Sequence, residues 1–460
     1  MENVINETEK PNILIINVCN PLSMGGAAIT LTLTRYLRDK LPNVKLTLMS
    51  SRERDREIYQ KKYKMQNVEF IPHIWYRERN STFKTLISSS IPAIFTLLKC
   101  ISSKYLRKIG LPIKHPFEKY EIIIDLNSDA INEHYGVVFP LFTLFNLLIA
   151  SFSGKPIVVS PCTIGEFKKP FMKSIAKSIL NKINIIMVRE DLSRKNLEEL
   201  GVSKPKVALG ADLAFLFEPE QIDAESIAGI NLAEIKKPIV GVAPSQEIYK
   251  YAFTEEAETP EEKYEKYVKL MSETVDFVVE KLDASVILIP HSLSEINSPR
   301  HKLLDDRIAC RNIYEKVRNK HRVQLIEEHH RPDEIKALIG KCDLFIGCRM
   351  HSTIASTSML VPTIALAYGE KFEGIIGNLM GQKDRVIRVN MKYENLSRQL
   401  KSKIIDVWRQ KDLIKRDLQE KLKNVREIVY SSLFLMREAI ESEIKQKEIS
   451  PTILKSEQIE

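Results

Sequence analysis

Residues 342–374 read CDLFIGCRMHSTIASTSMLVPTIALAYGEKFEG, and their order decides the fold. LFIG at 344–347 is an apolar run too brief for a helix, so it reads as a strand buried on both faces. Ser352, Thr353 and the small residues after them predict a helix packed closely on that strand, until Val361-Pro362 ends it and a second strand, PTIAL, begins. Strand, covering helix and parallel strand is the unit of a doubly covered sheet. It would bring Arg349, His351 and Lys371 to one sheet edge beside a helix N-terminus. Free backbone N–H groups and the helix dipole favour an anion there, so the unit predicts a pocket for phosphate.

The same alternation extends outward in both directions. Towards the N-terminus, short apolar runs lie at Pro238–Ser245, Ser285–Pro290 and Val323–Ile326, separated by helical patterns such as Glu261–Leu282 and Asp333–Lys341. An earlier series runs through Asn12–Asn20, Val44–Ser50, Val68–Pro72, Glu121–Leu126, Pro156–Ser160, Ile183–Val188 and Lys206–Leu209. Gly25-Gly26 opens a helical pattern between the first two of these. Beyond Leu396, apolar residues recur at three- and four-residue steps between charges, the mark of amphipathic helix. The expected organisation is therefore α/β: a Rossmann-like domain over 1–235, a second over 236–395 and a helical extension over 396–460. Two facing doubly wound domains would leave a cleft beyond the carboxyl ends of their strands, where ligands of such sheets bind.

The 460 residues carry Lys+Arg 69 against Asp+Glu 60, a surplus of +9 that suits anionic ligands and gives no indication of nucleic acid. The six cysteines form no CxxC pair, so neither a zinc ribbon nor a disulfide scaffold is expected, and a reducing cytoplasm is the simplest location. The polar, acidic start MENVINETEKPN is unlike a secretory leader. The apolar stretches Ile87–Ile101 and Val137–Phe152 are interrupted by Pro and polar residues and fall short of a membrane span, which predicts buried helices. Residues 77–119 hold nine Lys or Arg against two Glu, interleaved with apolar residues. That pattern fits either a solvated face over a core stripe or a contact with anionic lipid at the inner face of a membrane. Nothing in the pattern specifies an oligomeric state.

The block R-x-H-S-x-I-A at 349–355, with P-x-I-x-L-x-Y at 362–368 and Lys371 behind it, resembles the polysaccharide pyruvyl transferase family. The likeness extends over most of residues 12–390: VREDLSRKNLEEL at 188–200 followed by Gly201-Val202, GADLAF at 210–215, and SPCTIGEF at 160–167 all have counterparts in that family. At the first strand, Asn20 and Gly25-Gly26 stand in for the usual Asn-x-Gly-Asp, and the acid is missing. The resemblance implies a GT-B-like pair of Rossmann domains. It also implies transfer of a pyruvyl group from phosphoenolpyruvate to saccharide hydroxyls as a ketal, with phosphoenolpyruvate as co-substrate and neither metal nor other cofactor.

Phosphoenolpyruvate carries a phosphate and a carboxylate on one small frame, and planar guanidinium forks suit both. Arg349 and Arg189 are the leading ligands, with Lys371 and Ser352 beside them. The methylene carbon must be protonated, and His351 suits a general acid or a ligand of the departing phosphate; His291, at the end of SVILIP, is the second candidate. Asn20, Asn127, Asp129 and Glu166, at strand ends of the N-terminal half, are candidate contacts to the saccharide or lipid-linked saccharide acceptor.

Each assignment has a plainer rival. Arg189 would serve equally as a salt-bridge partner of Glu190 or Asp212, His291 as a strand-end hydrogen-bonder, and Asn127 and Asp129 as helix caps. His329-His330 lacks further ligands at zinc spacing, and Cys348 reads as a small buried apolar residue rather than a nucleophile. Two other functions share this outline: a nucleotide-sugar glycosyltransferase of the GT-B type, and a non-catalytic glycan-binding member.

Overall fold

The computed structural model describes residues 10–50, 53–73, 115–134, 136–220, 226–254, 259–295 and 301–456. The stretch Ile87–Ile101 and most of the basic segment 77–119 lie outside them.

The first sheet has seven parallel strands: β1 (Asn12–Ile16), β2 (Lys45–Ser50), β3 (Val68–Pro72), β4 (Ile122–Asp125), β5 (Ile157–Cys162), β6 (Ile185–Val188) and β7 (Lys206–Leu209), in the order β3-β2-β1-β4-β5-β6-β7. NILII and IIID are buried at every position because helices cover both faces. Among the covering helices are α1 (Met24–Lys40), α2 (Val138–Ser151), α3 (Pro170–Leu180) and α4 (Asp191–Leu200). α2 accounts for the apolar stretch Val137–Phe152: Leu144, Leu147, Ile149 and Ala150 sit in the core of this sheet.

The second sheet has six parallel strands: β8 (Ile239–Ala243), β9 (Ser285–Leu288), β10 (Val323–Leu325), β11 (Leu344–Gly347), β12 (Thr363–Ala367) and β13 (Val386–Arg388), in the order β10-β9-β8-β11-β12-β13. α5 (Pro260–Leu282), α6 (Asp306–Lys316), α7 (Pro332–Ile339) and α8 (Met350–Ser358) are among its connections. α5 begins with a capping box, in which Thr259 Oγ1 accepts from Glu262 N and the Glu262 carboxylate accepts from Thr259 N. The strand order reverses at β1/β4 in one sheet and at β8/β11 in the other, and chains diverging to opposite faces open a crevice at such points.

Two helices, α9 (Tyr393–Arg409) and α10 (Lys411–Ser456), form the C-terminal extension. Ile414, Leu418, Leu422, Val425, Val429, Leu433, Met436 and Ile440 make its buried stripe, so helix and period agree. No helix among the described residues is long and apolar enough to cross a membrane.

The chain divides into two compact units, one of Met1–Cys19, Leu33–Gly210 and Tyr430–Glu460, the other of Asn20–Thr32 and Ala211–Val429. Each sheet stays whole within the half expected for it. The divisions fall elsewhere than at 235 and 395, because Asn20–Thr32 packs with the second sheet and the extension is shared out at residue 430.

Candidate functional site

In the second unit, β11 delivers the chain to Arg349, the N-cap of α8, and His351 follows in the helix's first turn. The helix lies close on its strand, since a Cβ on Gly347 would come within 2.6 Å of Thr353 Cγ2. Only small residues permit that approach. A narrow hollow opens beside His351, lined also by His291, Lys336, Ala355, Phe217 and Gly25. Its free space, about 20 Å³, admits one water-sized group.

The His351 ring is set from two sides. Gly25, at the start of α1, lies so near that a Cβ there would fall 2.0 Å from His351 Cγ. On the other side His351 Nε2 lies 3.3 Å from Asp212 Oδ2, an ion-pair distance without hydrogen-bond alignment. Asp212 is buried, and its other oxygen accepts from Ala214 N at 2.9 Å. The carboxylate stands at the Nε2 end of the ring and Gly25 at the Cβ, Cγ and Nδ1 end.

His291 follows β9, and its carbonyl accepts from Met24 N at 3.1 Å. Burial, with the nearby His351 and Arg349, lowers its pKa to about 3. It is therefore a neutral imidazole at physiological pH, suited to hydrogen bonding and poorly suited to supplying a proton.

Arg349 turns from His351 toward two carboxylates. Asp306, fully buried, takes its Nε at 3.1 Å and its Nη2 at 2.8 Å, while Glu247 takes Nη1 at 2.5 Å. Burial opposes the charge, but Asp306 and Glu247 outweigh it and raise the guanidinium's pKa. Asp306 is further held by Gln246 N and Ser292 N, although burial still lifts its carboxyl above the ordinary range. Each outer nitrogen of Arg349 retains one N–H for a ligand.

Lys371 lies over the Tyr368 ring at 5.5 Å, and Tyr368 stacks on Tyr251. Ser352 is buried and donates to the Arg349 carbonyl at 2.7 Å, which makes it a helix-turn bond. Asn20 closes a turn, its Oδ1 accepting from Leu22 N. The hollow thus gathers His351 and His291 but not Arg349, Lys371, Ser352 or Asn20.

The remaining candidates belong to the first unit. Arg189 is 1% exposed, donates from Nε to Thr163 Oγ1 at 2.9 Å and lies 3.6 Å from Glu190, one of the two carboxylates weighed as its partner. Asn127 is buried with its amide on Asp125 Oδ2, whereas Asp129 is half-buried and Glu166 exposed. Asp125 ends β4 at the β1/β4 reversal and also accepts from Asn17 Nδ2 at 2.7 Å. Asn146 Nδ2 donates in turn to Asn17 Oδ1 and meets His73 Nδ1.

Burial pushes the Asp125 carboxyl up to about 7, against the pull of Asn17 and Asn127. A folded-state value above the unfolded one means that its contribution to stability is full below about pH 4 and is lost as pH rises to about 7. Asp125→Asn is expected to remove that loss. The stability of the variant minus that of the wild type, from urea unfolding, should rise by about 2–4 kcal/mol between pH 4 and 7.

Asp306, Glu247 and Lys336 were not singled out from the sequence, Gly25 entered as a helix start rather than as a neighbour of His351, and Asp212 entered in GADLAF and as a rival partner for Arg189. Gly25-Gly26 at a helix start and the GADLAF element were available signals; an isolated carboxylate such as Glu247 carries none. His330 Nδ1 lies 3.9 Å from Glu334, and no group of three metal-ligating side chains gathers among the described residues. Cys348 is fully buried.

The fold is GT-B-like. It is shared with UDP-GlcNAc 2-epimerase from Neisseria meningitidis bound to UDP-GlcNAc (TM-score 0.54, 11% identity, 94% of this chain and 100% of that one). It is also shared with TcCGT1 in complex with UDP (TM-score 0.55, 13% identity, 94% and 100%). The chain is 27% identical to amylovoran biosynthesis protein AmsJ of Erwinia amylovora over 267 residues, which span 57% of this chain and 60% of that protein's length. A family profile, polysaccharide pyruvyl transferase, matches residues 24–370, a range that holds Gly25, Asp212, His291, Arg349 and His351. The chain belongs to the polysaccharide pyruvyl transferase family.

Proposed function

We propose that the protein transfers the pyruvyl group of phosphoenolpyruvate to saccharide hydroxyls in the biosynthesis of a polysaccharide. One observation carries this reading: His351 borders a hollow in the first turn of α8 with its ring fixed between Gly25 and the buried carboxylate of Asp212. A polysaccharide product is also in keeping with the likeness to AmsJ.

In this reading the donor's methylene carbon lies against the His351 ring at the edge of the hollow. His351, as imidazolium, gives its proton to that carbon, and the adjacent carbon becomes an oxocarbenium centre. A sugar hydroxyl attacks it and releases its proton; phosphate then leaves, and a second hydroxyl closes the ketal. Asp212, buried beside Nε2, helps to hold the ring in place. The two spare N–H groups of Arg349 suit a carboxylate or phosphate oxygen. Asn127, Asp129 and Glu166 remain the proposed acceptor contacts.

Incubation with labelled phosphoenolpyruvate and candidate saccharides tests the reading. Label must pass to saccharide, and phosphate must be released only when both are present. Release of a nucleoside diphosphate from a nucleotide sugar would replace this reading with the glycosyltransferase. Glycan binding without turnover would replace it with the non-catalytic one. His351→Gln is expected to lower kcat by ~10²–10⁴ with little change in KM for phosphoenolpyruvate. A raised KM with kcat retained would instead make His351 a phosphate ligand.

A further inference from the structure

Lys336 occupies the middle of α7 and is 3% exposed, between the buried Ile335 and Ala337. Its amine donates to the carbonyl oxygens of Ala214, within the short turn Leu213–Leu216, and of Phe217, just after it. Carbonyls orient an ammonium without neutralising it, and no carboxylate pairs with Lys336 among the described residues. A buried charge so placed is costly unless something else compensates it.

The surrounding groups do not. Glu218 attracts the amine from a distance and Arg426 repels it, and burial outweighs both, bringing its pKa down to about 7. On its own helix, Asp333 and Glu334 are engaged by Arg331. Across the hollow, His291 is neutral and Asp212 faces His351. Two carbonyls also leave one of the three ammonium N–H groups for another acceptor. Lys336 lines the same hollow as His351 and His291, where an entering anion would find an ammonium with no counter-ion among the described residues.

We propose that Lys336 is a donor-binding residue, its ammonium meeting an anionic oxygen of phosphoenolpyruvate as the ligand enters the hollow beside His351. The proposal rests on the reading of that hollow as the donor site. It adds a cation that lies outside the R-x-H block and becomes fully charged when the ligand arrives.

Titration calorimetry of the full-length chain with phosphoenolpyruvate and with inorganic phosphate tests it, with Tm without ligand as the control for folding. The wild type should bind phosphoenolpyruvate, and Lys336→Gln should weaken that binding by ~10–100-fold, the usual cost of a charged hydrogen bond. At pH 8 the wild type should also take up about one proton on binding, seen as a dependence of the heat on the buffer's ionisation enthalpy. His351→Gln should keep that uptake. Lys336→Arg, always charged, should bind without it.

Equal affinity in wild type and a folded Lys336→Gln would overturn the assignment. If Lys336→Gln fails to fold, the absence of proton uptake in the wild type would overturn it, as would uptake lost in His351→Gln and kept in Lys336→Arg. A wild type that does not bind phosphoenolpyruvate would sink the reading of the hollow itself.

Discussion

Gly25→Ala is expected to reduce turnover by at least ~100-fold, because an error of about 1 Å in a catalytic group costs that much. The added Cβ would lie 2.0 Å from Cγ, 2.2 Å from Cβ and 2.5 Å from Nδ1 of His351. Ordinary carbon contacts need about 3.5 Å, so the groups must separate by more than 1 Å. The ring cannot swing clear, since its Cβ is also too close and is fixed to the first turn of α8. Relief therefore requires the start of α1 or of α8 to move, and the imidazole moves with it, away from Asp212 and the hollow.

Stability should suffer less than activity. Alanine is favoured over glycine within a helix by about 1 kcal/mol, which offsets part of the strain. Phosphate release measured alongside Tm separates the two effects. Combination with His351→Gln gives a sharper test: once the acid is gone, Gly25→Ala should cost no further turnover. A second large loss would mean that Gly25 serves something other than the ring.

The path from sequence to this arrangement was uneven for physical reasons. LFIG, NILII and IIID were legible because a strand buried on both faces must be apolar throughout. β13 was not foreseen: VIR is three residues long at a sheet edge, and only its middle residue is buried. The carboxyl-edge position of Arg349 and His351 followed from strand and helix order alone. Where each side chain turns did not follow, because Glu247, after β8, and Asp306, at the start of α6, stand 102 and 43 residues from Arg349 in the chain. Packing of Asn20–Thr32 with the second sheet was equally beyond local pattern. Contacts at such separations are set by topology, to which a residue pattern is blind.

Arg349→Met should destabilise the protein by about 3–5 kcal/mol, the usual cost of leaving a buried charge without its partner. Methionine fills similar space but leaves the fully buried Asp306 without its counter-charge, while Glu247, half-buried, keeps only Lys250, at 3.8 Å, among the described residues. The pH dependence identifies the cause. Burial already lifts the Asp306 carboxyl, and Arg349 is the largest influence holding it down. Without that influence its folded-state pKa rises further above the unfolded value, so its contribution is full in acid and is lost as pH rises. The variant should therefore approach wild-type stability near pH 4 and fall furthest behind above neutrality, in urea unfolding at each pH. Asp306→Asn in the same chain should recover part of the loss and flatten the profile; only part, because an amide cannot accept from both Gln246 N and Ser292 N. Phosphoenolpyruvate binding divides the scaffold role from the ligand role. At a pH where Arg349→Met is folded, binding should still be weakened, since the guanidinium's outer N–H groups are gone. Full binding at that pH would make Arg349 a clamp between Glu247 and Asp306 alone and leave donor recognition to the groups in the hollow.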